Sequence, residues 1–248
     1  MTFTALPLTT AAWDEPEGIP ARGTVVVLTG RGETAAAYGR LGRRLSADAY
    51  RVRVVEVDVD DLPATEARLR ELMSDADLPA PRVLLGADSG ATLAAGLLDA
   101  LPVDAAVLAG LVLTGSQRPD APRPDGSWEE ELEARTACPA HRRVITEDPQ
   151  FERGALARPL PAAWGGLAGT APRKPVLVLH GALDPVTAAA EAIAPYLDAP
   201  SAQVRLVEGA HHDVLNDVMH RSVAAAVVQF LERLRLGADL PVIVREVR

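Results

Sequence analysis

Three residues of the kinds that move protons or attack carbon stand just beyond apolar runs of this chain, and their surroundings say what each could do. The first lies in Arg82-Val-Leu-Leu-Gly-Ala-Asp88-Ser89-Gly90-Ala91. An apolar run gives way to a tight turn of small residues and then to a helical pattern. Such a strand–turn–helix forces its tip residue into a strained backbone conformation, and small neighbours are needed to close it. Gly86 and Gly90 bracket Asp88 symmetrically. A second register puts Ser89 at the tip between Ala87 and Ala91, which fit the turn less well than glycine. The second chemical residue is Asp184, in the loop after Val176-Leu-Val-Leu-His-Gly, and the third is His212, in Val207-Glu-Gly-Ala-His211-His212-Asp213. A carboxylate that orients a histidine, and a histidine that carries a proton to or from the tip residue, form a proton relay. With Asp88 at the tip, His212 would lie between two carboxylates, which favour its cation and should raise its pKa.

These residues need a scaffold that brings loop ends together. Short β-branched runs alternate with amphipathic stretches, the pattern of a parallel sheet covered by helices on both faces. Strands are expected at Thr24–Leu28, Arg51–Val57, Arg82–Leu85, Ala105–Leu113, Pro175–His180 and Gln203–Val207, with helices at Thr34–Ser46, Ala64–Ser74, Ser89–Ala100, Thr187–Leu197 and Val214–Leu236. The alternation breaks over 114–174, a stretch too long for an unstructured loop in a compact domain. A helix is expected there at Ser127–Arg143, opened by Ser127 and favoured by Glu129 to Glu131 near the positive end of its dipole. The stretch reads as a helical cap within one domain spanning 1–248. The alternating tail Pro241–Arg248 could add an edge strand or pair with a second subunit, making a homodimer.

The three motifs and their order resemble the α/β-hydrolase superfamily, and within it the monoacylglycerol-lipase or lysophospholipase-like branch. The resemblance covers nearly the whole chain. It implies an α/β-hydrolase fold: a mostly parallel central sheet flanked by helices, with a small helical cap insertion. It also implies that Asp184 orients His212 and that Thr29-Gly30-Arg31-Gly32 stands where the family's His-Gly motif lies. Gly30 would then help to shape the oxyanion hole, and the backbone N–H groups of Arg31 and Ser89 would be its donors. The chain departs from the family in carrying Thr29 for histidine and, in the glycine-bracketed register, Asp88 for serine.

An aspartate at that place attacks saturated carbon to give an ester that water then hydrolyses, as in haloalkane dehalogenases and epoxide hydrolases of the same superfamily. Attack on an ordinary ester would give a costly mixed anhydride. Donors for the leaving group are not evident. Ser89 follows Asp88 where dehalogenases have tryptophan, and Tyr38, Tyr50 and Tyr196 lie outside the cap. Trp128, Arg135, His141 and Trp164 are the cap residues that could stand in. His180 is expected to be a satisfied structural histidine, His211 to face solvent, and Cys138 to be a packed free thiol.

The remaining expectations come from composition. A net charge of -9 over 248 residues excludes nucleic acid and anionic membrane surfaces as natural partners and leaves a small molecule. The single cysteine permits no intrachain disulfide, in keeping with a cytoplasmic setting. No histidine pair has metal-ligand spacing, so no metal and no cofactor is expected. The chain thus reads as a cofactor-independent hydrolase of a small, apolar molecule with an Asp88–His212–Asp184 site. The alternatives are a serine esterase using Ser89, an Asp–His acid/base lyase, and a ligand-binding relative without catalysis.

Overall fold

The computed structural model describes residues 8–115, 121–123 and 126–245. Seven strands form one sheet in the order β1-β3-β2-β4-β5-β6-β7. They are β1 (Ala11–Trp13), β2 (Gly23–Leu28), β3 (Tyr50–Val55), β4 (Arg82–Ala87), β5 (Ala105–Ala109), β6 (Val176–Gly181) and β7 (Ala202–Val207). Every neighbouring pair is parallel except β1 with β3, where Ala11 faces Val54. The helices are α1 (Gly39–Ala47), α2 (Leu62–Met73), α3 (Ser89–Leu97), α4 (Trp128–Arg135), α5 (Pro139–Glu147), α6 (Ala189–Ile193) and α7 (His220–Leu236). None is long and apolar enough to cross a membrane.

Alternation along the central strands splits the core in two. Val25 and Val27 of β2 join α1 and α7 through Leu41, Leu45, Val227 and Phe230 on one face. Val26 and Leu28 join α2 and α3 through Leu69, Met73, Leu93 and Leu97 on the other. A sheet covered on both sides has strands buried along their whole length, and β2, β5 and β6 are buried at every residue.

Several elements depart from expectation for local reasons. Strand β5 ends at Ala109, not Leu113, because Gly110 turns the chain at φ 56. A Cβ there would stand 2.5 Å from the carbonyl oxygen of His212, so the strand stops where the histidine loop passes over it. The cap helix expected at Ser127–Arg143 is two helices. Ser127 opens α4 with a reciprocal capping box to Glu130, but Thr136 and Cys138 are extended, and Pro139 supplies the first residue of α5. Helix α7 begins at His220, since residues 213–219 fold as turns around the Asp217 carboxylate. The short β1 was not foreseen. The tail carries no strand over Pro241–Arg245, and its last three residues lie outside the described ones.

Candidate active site

Asp88 occupies the tip between β4 and α3 with φ 50 and ψ −119, a backbone that only an over-determined turn holds for a residue with a side chain. Both glycines are required there. A Cβ on Gly86 would lie 2.1 Å from the Gly90 carbonyl oxygen, and one on Gly90 would lie 2.2 Å from that of Leu28. The Asp88 N–H donates to the Ala109 carbonyl at 3.0 Å, tying the tip to β5.

Asp184 and His212 arrive from the ends of β6 and β7. His212 Nε2 is 3.1 Å from Asp88 Oδ1, and its Nδ1 is 2.8 Å from Asp184 Oδ2. Asp184 Oδ1 accepts the N–H groups of Val186 and Thr187, which fixes the carboxylate. Ser89 is fully buried at the head of α3, and its Oγ has no hydrogen-bond partner among the described residues. It is therefore the aspartate, not the serine, that meets His212.

Arg31 brings more to the tip than the backbone donor expected of it. Its backbone N–H does point at the tip residue, donating to Asp88 Oδ2 at 2.7 Å, but its side chain is there as well. Arg31 Nε lies 2.9 Å from Oδ2 and Nη2 lies 2.7 Å from Oδ1, a two-pronged fork on the carboxylate. Arg31 Nη1 donates to the Arg158 carbonyl, and the Arg31 carbonyl accepts Arg135 Nη2 at 2.8 Å. Gly30 lies against the tip, where a Cβ would stand 2.9 Å from that of Asp88, and its N–H is held inside the loop by Glu33 Oε2 and the Tyr38 hydroxyl.

The electrostatics follow from this packing. Burial works to raise the Asp88 pKa, but the Arg31 guanidinium and the His212 bond outweigh it and hold the carboxyl well below the usual range. Burial likewise opposes the His212 cation, yet Asp184 and Asp88 push its pKa up to about 10. Asp184 is lowered, its burial overcome by His212 and His180. Two anions and two cations thus sit together with no net charge. All four residues are at most 4% exposed.

A second buried network backs the first. The fully buried Arg135 guanidinium bonds Glu131 at 3.0 Å and stands 3.5 Å from Asp213 and 3.8 Å from Glu33, while His141 Nε2 is 3.1 Å from Asp213 Oδ2. Glu33, His141 and Asp213 bring ligand-type atoms within 4.8 Å of one another, a cluster their scatter in sequence concealed. Arg135 already supplies the positive charge among them. The cap is bonded to the histidine loop through its backbone: His212 N–H donates to Ala134 and Asp213 N–H to Arg135.

His180 Nε2 lies 3.1 Å from both the Thr187 carbonyl and Asp184 Oδ2, but its Nδ1 has no partner among the described residues, so it is not the fully satisfied histidine expected. His211 rests on Asp217 and keeps 28% of its side chain exposed. Cys138 is a buried free thiol. Two clefts flank the centre. One of about 730 Å³ includes Leu183, Pro185 and His211, and one of about 610 Å³ includes Gly32, Glu33 and Arg158. Neither is lined by Asp88 or His212.

No family model and no curated sequence matches the chain. Solved structures do. The monoacylglycerol lipase of Paleococcus ferrophilus superposes with a TM-score of 0.68 at 17% identity, covering 89% of this chain and 96% of that one. The fold is the α/β-hydrolase fold. A soluble variant of the monoglyceride lipase of Saccharomyces cerevisiae gives 0.66 at 17% identity over 89% and 90%. The carboxylesterase CesB of Bacillus subtilis gives 0.63 at 16% over 88% and 85%. Within the α/β-hydrolase fold, the tip between β4 and α3, the loop after β6 and the loop after β7 lie at the C-terminal ends of the strands, where open α/β sheets place their sites.

Proposed function

We propose that the protein is a cofactor-independent hydrolase of a small, apolar molecule, in which Asp88 is the nucleophile, His212 activates water and Asp184 orients His212. One observation carries this reading. Asp88 holds Oδ2 against the Arg31 backbone N–H, while Oδ1 meets His212 at 3.1 Å and Arg31 Nη2 at 2.7 Å, so that the tip carboxylate is fixed against the proton carrier. The strained tip gives the same support, since a backbone of this kind is kept where a side chain must be aimed.

Oδ1 attacks a saturated carbon as the bond to the leaving group breaks, giving an ester of Asp88. The ester carries no charge, so His212 loses one of the two carboxylates that hold its proton; its pKa falls, the proton is released to solvent, and the neutral imidazole that remains can act as a base. It then takes a proton from water as the hydroxide adds to the ester carbonyl. The developing oxyanion at Oδ2 rests on the Arg31 N–H. Collapse expels the alcohol, which takes a proton from His212, and the Asp88 carboxyl then passes its own proton to His212, restoring the resting pair.

Turnover of small alkyl halides and terminal epoxides in ¹⁸O-labelled water tests the mechanism, because oxygen from water then enters the Asp88 carboxylate. Label in the peptide containing Asp88 is the expected result, and product formed without such label refutes the nucleophile. A second reading has its own observation: the Arg31 fork covers Asp88, as suits a ligand-binding relative without catalysis. Ligand binding with no turnover of any member of the panel would favour it.

A further inference from the structure

We propose that the Arg31 side chain is the acceptor of the leaving group, and that it selects substrates whose leaving group departs as a stable anion, namely alkyl halides. This rests on Asp88 being the nucleophile. The first ground is position: the Arg31 guanidinium lies on the Asp88 carboxylate, whereas the unpartnered Ser89 Oγ and Trp128 Nε1 make no hydrogen bond to it. Displacement at saturated carbon needs a donor beside the nucleophile, and each tyrosine hydroxyl is engaged elsewhere: Tyr38 with Glu33, Tyr50 with Glu232, Tyr196 with the Ala168 carbonyl. Arg135 reaches the Arg31 carbonyl and the acids of its own network. Apart from His212 and the Arg31 N–H, the hydrogen bonds to the Asp88 carboxylate all come from the Arg31 guanidinium.

The second ground is charge. At rest Arg31 and His212 balance Asp88 and Asp184 within a buried space. As Oδ1 forms its bond to carbon, the electron pair of the carbon–halogen bond leaves with the halogen, and the negative charge of Asp88 becomes that of the halide. The balance survives if the guanidinium follows the charge from the carboxylate to the departing atom. A buried guanidinium left without an anion would be strongly unfavourable. The loop is built for such a transfer. The backbone of Arg31 is held on both sides, by Asp88 through its N–H and by Arg135 through its carbonyl, so the side chain can shift while the oxyanion donor stays.

The chemistry of arginine narrows the substrate. A guanidinium donates hydrogen bonds but does not give up a proton near neutral pH. It stabilises a halide, which needs none, and cannot protonate the oxygen released from an epoxide.

A leaving-group series tests this: kcat/KM for chloride, bromide and iodide of one alkyl chain, in the wild type, Arg31→Lys and Arg31→Gln. Arg31→Gln should lose about tenfold more for chloride than for iodide, with Arg31→Lys between. An equal loss for all three overturns the role. Because Arg31 variants can lose stability, a second measurement uses Asp88→Asn, which frees the fork. Bromide should shift the Arg31 Nε resonance in Asp88→Asn and leave that resonance unchanged in the wild type. A silent Arg31 in Asp88→Asn overturns the anion site. Label in Asp88 together with a flat leaving-group series removes Arg31 and keeps the nucleophile. Bromide at Arg31 with no label from any substrate removes the nucleophile, and the leaving-group role with it.

Discussion

If Asp88 and Arg31 form one charge-balanced unit, their costs on removal cannot add, and a double-mutant cycle will show it. Arg31 and Asp88 side chains are 2% and 3% exposed, and their shortest contact is 2.7 Å. Breaking such a buried pair from one side strands the other charge, at a cost of about 3–5 kcal/mol. Asp88→Asn keeps the shape of the tip but leaves Arg31 and His212 as two cations against Asp184 alone, so it should fall at the upper end. Arg31→Met leaves Asp88 with His212 and a backbone N–H, and should fall at the lower end. The double variant strands neither charge and should recover about 2–3 kcal/mol of the summed cost. Urea unfolding followed by far-ultraviolet circular dichroism measures all four corners. Costs that add within about 0.5 kcal/mol would refute the unit, because independent sites add to that precision.

The His212 pKa is raised from 6.5 to about 10, so the folded state binds a proton that the unfolded chain releases. Its contribution to stability is full below about pH 6.5 and is lost as pH rises through about 10, at roughly 1.4 kcal/mol per pH unit in that window. Nitrogen-15 shifts of the imidazole should report the cation through pH 8, and should report it at lower pH only in Asp88→Asn; neutral His212 at pH 7 in the wild type would contradict the two-carboxylate arrangement. Ser89→Ala should stabilise the fold by about 1 kcal/mol, since it removes a buried hydroxyl without a partner, and should leave turnover intact. Loss of turnover there would return the serine reading to first place. Gly90→Ala should cost about 2 kcal/mol or more, because its Cβ meets the backbone of Leu28, which has no rotamer to yield; an unchanged urea midpoint would show that the tip relaxes.

The scaffold was legible because strand alternation and turn chemistry are local. The glycines around Asp88 marked the tip, and the strands leading to Asp184 and His212 were found to within a residue or two. What failed was also physical. The end of β5 depends on a histidine loop about a hundred residues further on, through the Cβ that Gly110 lacks, and no local pattern carries that. The break between α4 and α5 was visible in Pro139, yet the charge pattern of Ser127–Arg143 obscured it.

The less legible part was the meeting of charged side chains. Thr29-Gly30-Arg31-Gly32 pointed to a backbone donor, and Arg31 supplies one, but sequence does not say where a long flexible side chain ends. Its guanidinium ends on Asp88 because burial leaves it no other course. A 2%-exposed cation must find an anion, and a carboxylate on a tip 3% exposed is the partner within reach. The same argument places Arg135 among Glu33, Glu131 and Asp213. Two arginines, one behind the other, thus carry charge compensation from the cap to the tip. An aspartate in place of a serine at the tip is therefore not a change at one position: it puts a charge into a closed space, and Arg31 is the residue that makes that charge tolerable there.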